Sequence, residues 1–445
     1  MVAQLGMFWS PCGSFRRPCF DFALTIMTHP IVSAQTLHTR HSSLRGFTRG
    51  LLACAVSLIG FASVRAAEAD LAEVAREQFA FATKQYAGML TRMEGDATRQ
   101  PRTFEKGVFK AVPARDWTSG FFPGSLWLIY EQTGDAAMKS AAEDFTKRVE
   151  SIQFFKDHHD VGFMLGCSYG EGLRITGDAA YRAVLVQGAR SLSTRYKAPP
   201  GLIRSWDAKE WTYPVIVDNM MNLELLWFAH KQTGEAAFRE IAINHADNTL
   251  ANHFRENGSS FHLVDYDPET GSVLKRQTVQ GAADDSAWAR GQGWGLHGYA
   301  TMARLTGEAR YLEQARKIAA FILSHPRLPE DGVPYWDFDA PGIPDAPRDA
   351  SAGALMACGF LELADQVPAE EAVKYRAMAE KQLRSLASPA YRAKLGENGS
   401  FLLMHCVGHN PAGTEVDVPL NYADYYFLKA LSRYRRPAVK AAGSY

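Results

Sequence analysis

The sequence carries no net charge. Its 445 residues contain 48 Lys and Arg against 48 Asp and Glu, so the formal charge is zero at pH 7. This balance argues against non-specific binding to nucleic acid, and an acidic ligand must be held by local groups rather than by an overall field. With 47% hydrophobic residues, the chain is still long and apolar enough to form a globular fold with a sizeable core.

Cysteine is scarce. Three of the six cysteines lie near the start of the chain; the others are Cys167, Cys358 and Cys406. These three are an odd number at wide spacings, with neither a metal-binding pattern nor a disulfide framework. We expect them to be buried free thiols, with one distant bridge as the alternative in an oxidising compartment.

Long apolar runs are also missing, apart from one near the start. Arg40, Arg45 and Arg49 precede an apolar segment at residues 51–62, and Val64-Arg65-Ala66 follows as a small-residue cleavage site. This order predicts a signal peptide, and the apolar segment is too short to span a membrane. We therefore expect a leader at 1–66, with an over-extended start before residue 27. The mature protein at 67–445 would be a single domain, exported to the periplasm, with no membrane partner.

A short tag of Thr, Gly and an acidic residue recurs four times, each time between two helical patterns. The tags are Thr133-Gly134-Asp135, Thr176-Gly177-Asp178, Thr233-Gly234-Glu235 and Thr306-Gly307-Glu308. Glycine ends one helix and the acidic residue caps the next, so each tag predicts the turn of a helical hairpin. Repetition at this scale indicates stacked helix pairs.

Each first helix is also preceded by an aspartate. These residues are Asp116, Asp160, Asp218, Asp285 and, for a fifth pair, Asp349. A sixth first helix at 421–434 would pair with the N-terminal helix that begins near Leu71. Six helical hairpins predict an all-α fold, a closed (α/α)6 barrel. A small β-hairpin at 260–266 and 272–277 is expected on a long loop.

If the first helices form an inner ring, their N-termini open at one mouth. Tryptophan and carboxylate residues collect there, whereas Ser, Cys and Lys nucleophile signatures are rare. Indole faces with acids between them are typical of a sugar-binding pocket. His158-His159-Asp160 has no third metal ligand spaced with it, so neither a metal nor another cofactor is expected.

Helix capping offers a simpler interpretation of these acids. Capping alone explains Asp116 and Asp285, whereas for Asp160 and Asp218 capping and catalysis remain open. Arg290 has two readings as well: it pairs with an acid of an inner helix or it binds an anionic substrate.

The sequence resembles the unsaturated glucuronyl hydrolases, glycoside hydrolase family 88, over essentially the whole mature chain. The matching segments include Asp116-Trp117-Thr118-Ser119-Gly120, His158-His159-Asp160-Val161-Gly162, Val217-Asp218-Asn219-Met220-Met221-Asn222, Phe261-His262-Leu263-Val264-Asp265, Asp284-Asp285-Ser286-Ala287-Trp288-Ala289-Arg290-Gly291-Gln292-Gly293-Trp294 and Tyr422-Ala423-Asp424-Tyr425-Tyr426. The resemblance implies an (α/α)6 barrel, which agrees with the repeats.

The resemblance also implies a reaction and its residues. The substrate would be an oligosaccharide that ends in a 4,5-unsaturated uronic acid, with Asp218 as general acid/base and Asp160 as the second essential carboxylate. The residues that the resemblance places around the sugar subsite are Trp117, His159, Trp206, His262, Gln280, Trp288 and Trp294. Arg290 is expected beside them as the cation for an anionic substrate. Trp211 is the alternative to Trp206 as one wall of the subsite.

In the expected chemistry, Asp218 protonates the C4=C5 double bond and later accepts a proton from water, which requires a raised pKa. A helix N-terminus would lower that pKa, whereas burial and a nearby ionised Asp160 would raise it. The alternatives are an unsaturated rhamnogalacturonyl hydrolase, a sugar epimerase or an exported sugar-binding protein. The sequence does not indicate the oligomeric state or the parent polysaccharide.

Overall fold

The computed structural model describes residues 70–435. The predicted leader, its cleavage site and the start near residue 27 lie outside the described residues. Within the described residues the protein is mainly helical, with small antiparallel sheets, which confirms the predicted predominance of helices. No helix in this part of the chain has the length and apolar character needed to cross a membrane.

The helices follow one another in pairs. In chain order they are α1 (Leu71–Arg92), α2 (Phe121–Thr133), α3 (Ala136–Lys147), α4 (Val161–Leu165), α5 (Glu171–Thr176), α6 (Ala179–Ser193), α7 (Leu223–Thr233), α8 (Ala236–Asn252), α9 (Ala289–Thr306), α10 (Ala309–Ser324), α11 (Ala350–Ala364), α12 (Ala369–Ala387) and α13 (Asn421–Arg435). A π-helical turn at Gly166–Gly170 joins α4 to α5, so these two short helices together are the first helix of the second pair.

The four predicted helix-ending glycines adopt the left-handed conformation that favours glycine. The φ values of Gly134, Gly177, Gly234 and Gly307 lie between 72° and 75°. Asp135 and Asp178 cap the following helices through their side chains, as predicted.

The capping prediction is wrong for the other two tags. The side chains of Glu235 and Glu308 make no capping hydrogen bond. In all four tags the backbone N–H of the acidic residue donates to the hydroxyl of the threonine two residues earlier, so this bond does not distinguish them. The longer glutamate side chain is a weak helix cap, because the residues preferred there have short side chains.

The first helices of the pairs contact one another in sequence order. The α2 helix contacts the π-helical turn after α4, α4 contacts α7, α7 contacts α9, α9 contacts α11, α11 contacts α13, and α13 contacts α2. All residues of α11 are buried, whereas its partner α12 buries only one side. The first helices therefore lie inside and the second helices face solvent, as an amphipathic pattern requires.

The strands form four small antiparallel sheets. Their bounds are β1 (Arg99–Glu105), β2 (Val108–Pro113), β3 (Tyr196–Lys197), β4 (Leu202–Ile203), β5 (Pro214–Ile216), β6 (Leu263–Tyr266), β7 (Val273–Gln277), β8 (Cys406–His409) and β9 (Thr414–Val418). The predicted hairpin is confirmed as β6–β7, and β5 adds a third strand to it. The β8–β9 hairpin, which the sequence analysis did not predict, reaches the candidate site from the C-terminal side.

The three cysteines within the described residues, Cys167, Cys358 and Cys406, are buried and free. This confirms the expectation of buried thiols over the distant bridge. Burial raises the pKa of the Cys167 and Cys358 thiols to about 12, so both remain protonated and unreactive near neutral pH.

Candidate active site

Asp218 lies where β5 leaves the three-stranded sheet. Its backbone belongs to a 3-10 turn, Val217–Asn222, that leads into α7. Of the two roles left open for Asp218, capping does not occur, because this turn begins one residue earlier and its N-cap is Ile216, with no side-chain capping bond. The N–H of Val217 donates to the carbonyl of His262, which fixes the turn against the neighbouring strand segment.

The Asp218 carboxyl group is almost completely buried. Only 7% of the residue is exposed, and its Oδ2 atom has no hydrogen-bond partner among the described residues. The pKa of Asp218 is raised to about 7, mainly by burial, and the charge of Asp160 acts in the same direction. Arg290, the residue's own backbone N–H and the Trp294 indole act in the opposite direction, without reversing the shift. Desolvation therefore outweighs the helix-terminus effect.

Asp160 occupies the N-cap position of α4 but makes no capping hydrogen bond. Its carboxylate instead contacts two imidazoles: His158 Nδ1 lies 3.0 Å from Oδ2, and His159 Nε2 lies 3.4 Å from Oδ1. Burial alone would raise the pKa of Asp160, but the two histidines lower it below its ordinary value. The pair of carboxylates is thus differentiated, with Asp160 ionised and Asp218 able to hold a proton near neutral pH.

Asn222 couples the two carboxylate-bearing segments. Its Nδ2 atom donates to His159 Nδ1 at 3.2 Å, and its Oδ1 accepts the N–H of Phe163 at 2.8 Å. With Nδ1 acting as acceptor, His159 carries its hydrogen on Nε2, which faces Asp160. Gly162 permits this approach, because a Cβ atom there would lie only 2.6 Å from Asn222 Cα.

His262 extends the site from the start of β6. Its Nδ1 accepts the N–H of Val279 at 3.0 Å, and its Nε2 lies 3.8 Å from Asp218 Oδ2. Trp288 packs on the imidazole, with 4.6 Å between ring centroids. Burial lowers the pKa of His262 to about 3, so this imidazole is neutral at physiological pH.

Arg290 is 1% exposed, in the first turn of α9. Its Nη1 contacts Asp349 Oδ2 at 3.3 Å, and its guanidinium also donates to the carbonyls of Val407 and Gly408. Arg290 therefore pairs with an acid at the start of an inner helix, which is one of the two roles considered for it. Gln280 donates to the same Gly408 carbonyl, so both side chains fix the β8–β9 hairpin over the site.

The tryptophans line different sides of the site. Trp294 is fully buried, and its ring centroid lies 5.0 Å from that of Phe163. The ring centroids of Trp117 and Tyr422 are also 5.0 Å apart. Trp206 adjoins His159, with ring centroids 6.4 Å apart. Trp211 lies behind Trp206 and donates to Gln277, so Trp206 is the tryptophan in contact with the histidine.

The remaining predicted caps have different outcomes. Asp349 caps α11 by accepting the N–H of Ser351, as expected. Asp116 does not cap α2, whose N-cap is Gly120; its carboxylate accepts the N–H of Thr118 in the turn before that helix. Asp285 does not cap α9, because the helix begins three residues later at the N-cap Trp288.

Tyr422 is a further residue of the site, for which the sequence predicts no role. The Arg290 guanidinium lies 5.3 Å from its ring centroid, and its hydroxyl is buried without a hydrogen-bond partner among residues 70–435. The spacing of α13 alone gives no signal for this, because the contact depends on how α13 meets α9.

Several buried polar atoms of the site share this lack of a partner within the described part of the chain. They are Asp218 Oδ2, His262 Nε2, Arg290 Nε, Trp294 Nε1 and Tyr422 OH. Buried polar groups are rarely left unpaired, and a set of them around one carboxyl group indicates a site that a polar ligand completes. Within residues 70–435, no group of three or more His, Cys, Asp or Glu side chains is arranged to hold a metal ion.

A carboxyl group that can hold a proton near neutral pH, beside an ionised one and among indole rings, is the kind of pair that glycoside hydrolases use. Residues 90–436 match the Glycosyl Hydrolase Family 88 sequence family. The chain belongs to this family and is an enzyme.

Individual relatives agree with this assignment. The unsaturated glucuronyl hydrolase of Formosa agariphila is 42% identical over 368 residues, which cover 80% of this chain and 91% of that protein. A crystal structure of an unsaturated glucuronyl hydrolase specific for heparin matches with a TM-score of 0.79 and 44% identity, over 81% of this chain and 97% of that chain. A Streptococcus agalactiae variant complexed with dGlcA-GalNAc6S matches with a TM-score of 0.68 and 30% identity, over 81% and 91% of the two chains.

Proposed function

We propose that this enzyme removes the terminal 4,5-unsaturated uronic acid from oligosaccharides that polysaccharide lyases generate. The observation that carries the proposal is the Asp218 carboxyl group, which is buried, has an unpartnered oxygen and has a pKa raised to about 7 beside an ionised Asp160. One group that can both give and take a proton near neutral pH suits a hydration reaction.

The unsaturated sugar is an enol ether. Protonated Asp218 donates its proton to C4, and the positive charge that forms at C5 is shared with the ring oxygen. Water then attacks C5 and loses a proton to the Asp218 carboxylate, which restores the acid. The product is a hemiketal, which opens and releases the neighbouring sugar. No displacement at the anomeric carbon occurs, so the separation of the carboxylates does not set the stereochemistry.

Asp160 and Arg290 would stabilise charges of opposite sign in the reacting complex. An ionised Asp160 keeps the pKa of Asp218 high and stabilises positive charge as it develops at C5. Arg290 is the buried cation available for the carboxylate of the substrate, and its unpartnered Nε leaves one donor for it. The sugar would lie against the aromatic and polar side chains of Trp117, His159, Trp206, His262, Gln280, Trp288 and Trp294.

We further propose that the helices close into an (α/α)6 barrel. The cyclic order of contacts from α2 through α13 and back to α2 supports this arrangement. The signal-peptide pattern before Ala67 supports export to the periplasm of a mature single-domain enzyme.

The test is to incubate the purified enzyme with unsaturated disaccharides from chondroitin, hyaluronan, heparin and pectin and to follow the ultraviolet absorbance of the double bond. We expect wild-type enzyme to consume at least one glycosaminoglycan disaccharide. Asp218→Asn should lose at least about 1,000-fold in kcat while still binding substrate. Asp178→Asn is the matched control, because Asp178 is an exposed cap on α6. An unchanged signal with every substrate would contradict the proposal.

The family match supports glucuronyl hydrolase activity and gives no support to the rhamnogalacturonyl, epimerase or non-catalytic alternatives.

A further inference from the structure

The two carboxylate oxygens of Asp349 contact different structural elements at the site. Its Oδ1 accepts from the backbone N–H of Ser351 at 3.0 Å and from the Ser351 hydroxyl at 2.5 Å. The same oxygen accepts from the N–H of Val407, on β8, at 3.3 Å. Its Oδ2 contacts Arg290 Nη1. Asp349 is fully buried, so these contacts fix the guanidinium relative to both α11 and the hairpin.

Arg290 interacts with both Asp349 and the proposed acid, Asp218. The charged and titratable groups that interact with its guanidinium are Asp349, Asp218, Glu415, Tyr422, His262 and His409. Those that interact with the Asp218 carboxyl are Arg290, Asp160, His262 and the Trp294 indole. Arg290 is therefore the cation that favours ionised Asp218, and Asp349 is the fully buried carboxylate in contact with that cation.

A buried guanidinium without a counter-charge would favour ionised Asp218 strongly, because opposite charges at short range stabilise each other in a low-dielectric site. An ionised Asp218 cannot donate a proton to C4. The guanidinium of Arg290 nevertheless lies in the site, where it would bind the carboxylate of the substrate. Asp349 resolves this conflict by offsetting part of the charge while holding the guanidinium in place.

We propose that Asp349 is a positioning residue for the hydration reaction: it holds the Arg290 guanidinium in the site and offsets its charge, so that Asp218 can act as an acid. The inference rests on the proposed function. Asp349 itself acts through Arg290 rather than on the substrate.

The test compares Asp349→Asn and Asp349→Ser with wild-type enzyme. Both replacements are neutral and retain a capping side chain for α11. The pH profile of kcat/KM should move its high-pH limb toward lower pH by roughly 0.5 to 1 unit. The resulting loss in kcat/KM is about two- to five-fold at pH 7, and it should disappear toward acidic pH.

Asp424→Asn is the matched control. Asp424 is another fully buried carboxyl group at the start of an inner helix, with its pKa raised by burial to about 7, and it accepts the N–H groups of Leu402 and Leu403, just before β8. It is not among the groups that interact with Arg290 or Asp218. Its replacement should lower thermal stability without moving the high-pH limb.

A second readout does not depend on turnover. The pKa of Asp218 can be followed by carbon NMR of labelled carboxyl groups, assigned through the loss of its signal in Asp218→Asn. A downward shift in a folded neutral variant of Asp349, absent from Asp424→Asn, supports the inference. An unmoved pKa in a folded neutral variant overturns it. A wild-type enzyme inactive on every unsaturated disaccharide would instead overturn the proposed function, and the NMR titration separates the two failures.

Discussion

The Oδ2 atom of Asp218 lies 3.8 Å from Nε2 of His262, and neither atom has a hydrogen-bond partner within the described residues. Because Nδ1 of His262 accepts a backbone N–H, the hydrogen of the neutral imidazole is on Nε2 and faces the carboxyl group. The pKa of His262 is lowered to about 3, so no imidazolium stabilises the Asp218 carboxylate. This neutral neighbour helps Asp218 to remain an acid at neutral pH.

The activity should decline as the pH rises through about 7. In the proposed reaction Asp218 donates its proton to C4 of the double bond, so it must be protonated, and its pKa is raised to about 7. Well above that value, kcat/KM should fall about tenfold for each pH unit. Initial rates at low substrate concentration between pH 5 and 9 would measure this, and a rate that stays constant to pH 9 would contradict it.

Asp218→Asn should stabilise the fold at alkaline pH. The folded state holds a proton on Asp218 up to about pH 7, whereas the unfolded state releases it near 3.8. The free energy of unfolding contributed by this site therefore falls as the pH rises between these values. Asparagine does not ionise, so its advantage grows across that window to at most ~4 kcal/mol. Thermal unfolding at pH 5 and pH 8 should show a larger gain at pH 8. An equal or reversed gain would argue against a buried acid.

His158→Gln should lower the activity at acidic pH, because it changes the pKa of Asp160. His158 Nδ1 lies 3.0 Å from Asp160 Oδ2, and its Nε2 donates to the carbonyl of Arg115. Burial opposes its charge, but the Asp160 carboxylate raises the pKa of His158 above its ordinary value. Without this partner, the pKa of Asp160 should rise, so the low-pH limb of activity should move to higher pH.

We expect a loss of about tenfold in kcat at pH 5 for this variant, and a smaller loss at pH 7. His230→Gln, on α7, is the control, because its ring contacts the main chain of Glu235 and the ring of Trp227, and neither residue belongs to the candidate site. Identical pH profiles for the two variants would show that His158 has no electrostatic role.

Asn222→Asp should inactivate the enzyme without unfolding it. The new carboxylate would face His159 Nδ1, which now accepts a hydrogen bond, and would draw the imidazole hydrogen away from the side that faces Asp160. It would also add a negative charge beside Asp160. A decrease of at least about 100-fold in kcat is expected, with circular dichroism unchanged. Asn244→Asp is the control, since Asn244 is exposed on α8. Retained activity in Asn222→Asp would show that the tautomer of His159 is unimportant.

Much of the fold could be predicted from the sequence because the signals are local. The Thr-Gly tags set the hairpin turns, since glycine is the residue that readily enters the left-handed conformation found at Gly134 and its equivalents. The β8–β9 hairpin was missed because its strands are short and irregular. Glu415 and Asp417 take positive φ values that residue type does not predict.

The candidate site was predicted less completely. Asp218 and Asp160 each belong to a sequence motif that could be recognised. The fold brings the two motifs together around Asn222. Capping was the wrong expectation for Asp285, because an irregular loop separates it from α9. The role of Tyr422 and the Asp349–Arg290 contact depend on residues far apart in the chain, which no spacing rule connects.

In the proposed reaction the double bond is hydrated before the glycosidic bond opens, with Asp218 as the acid. The reaction in D2O, followed by NMR and by ultraviolet absorbance together, tests this order of events. We expect absorbance to fall in step with release of the neighbouring sugar and C4 to gain one deuterium on a single face. Asp218→Asn should do neither. An unsaturated monosaccharide that accumulates before the absorbance falls would contradict the account, because it requires displacement at the anomeric carbon.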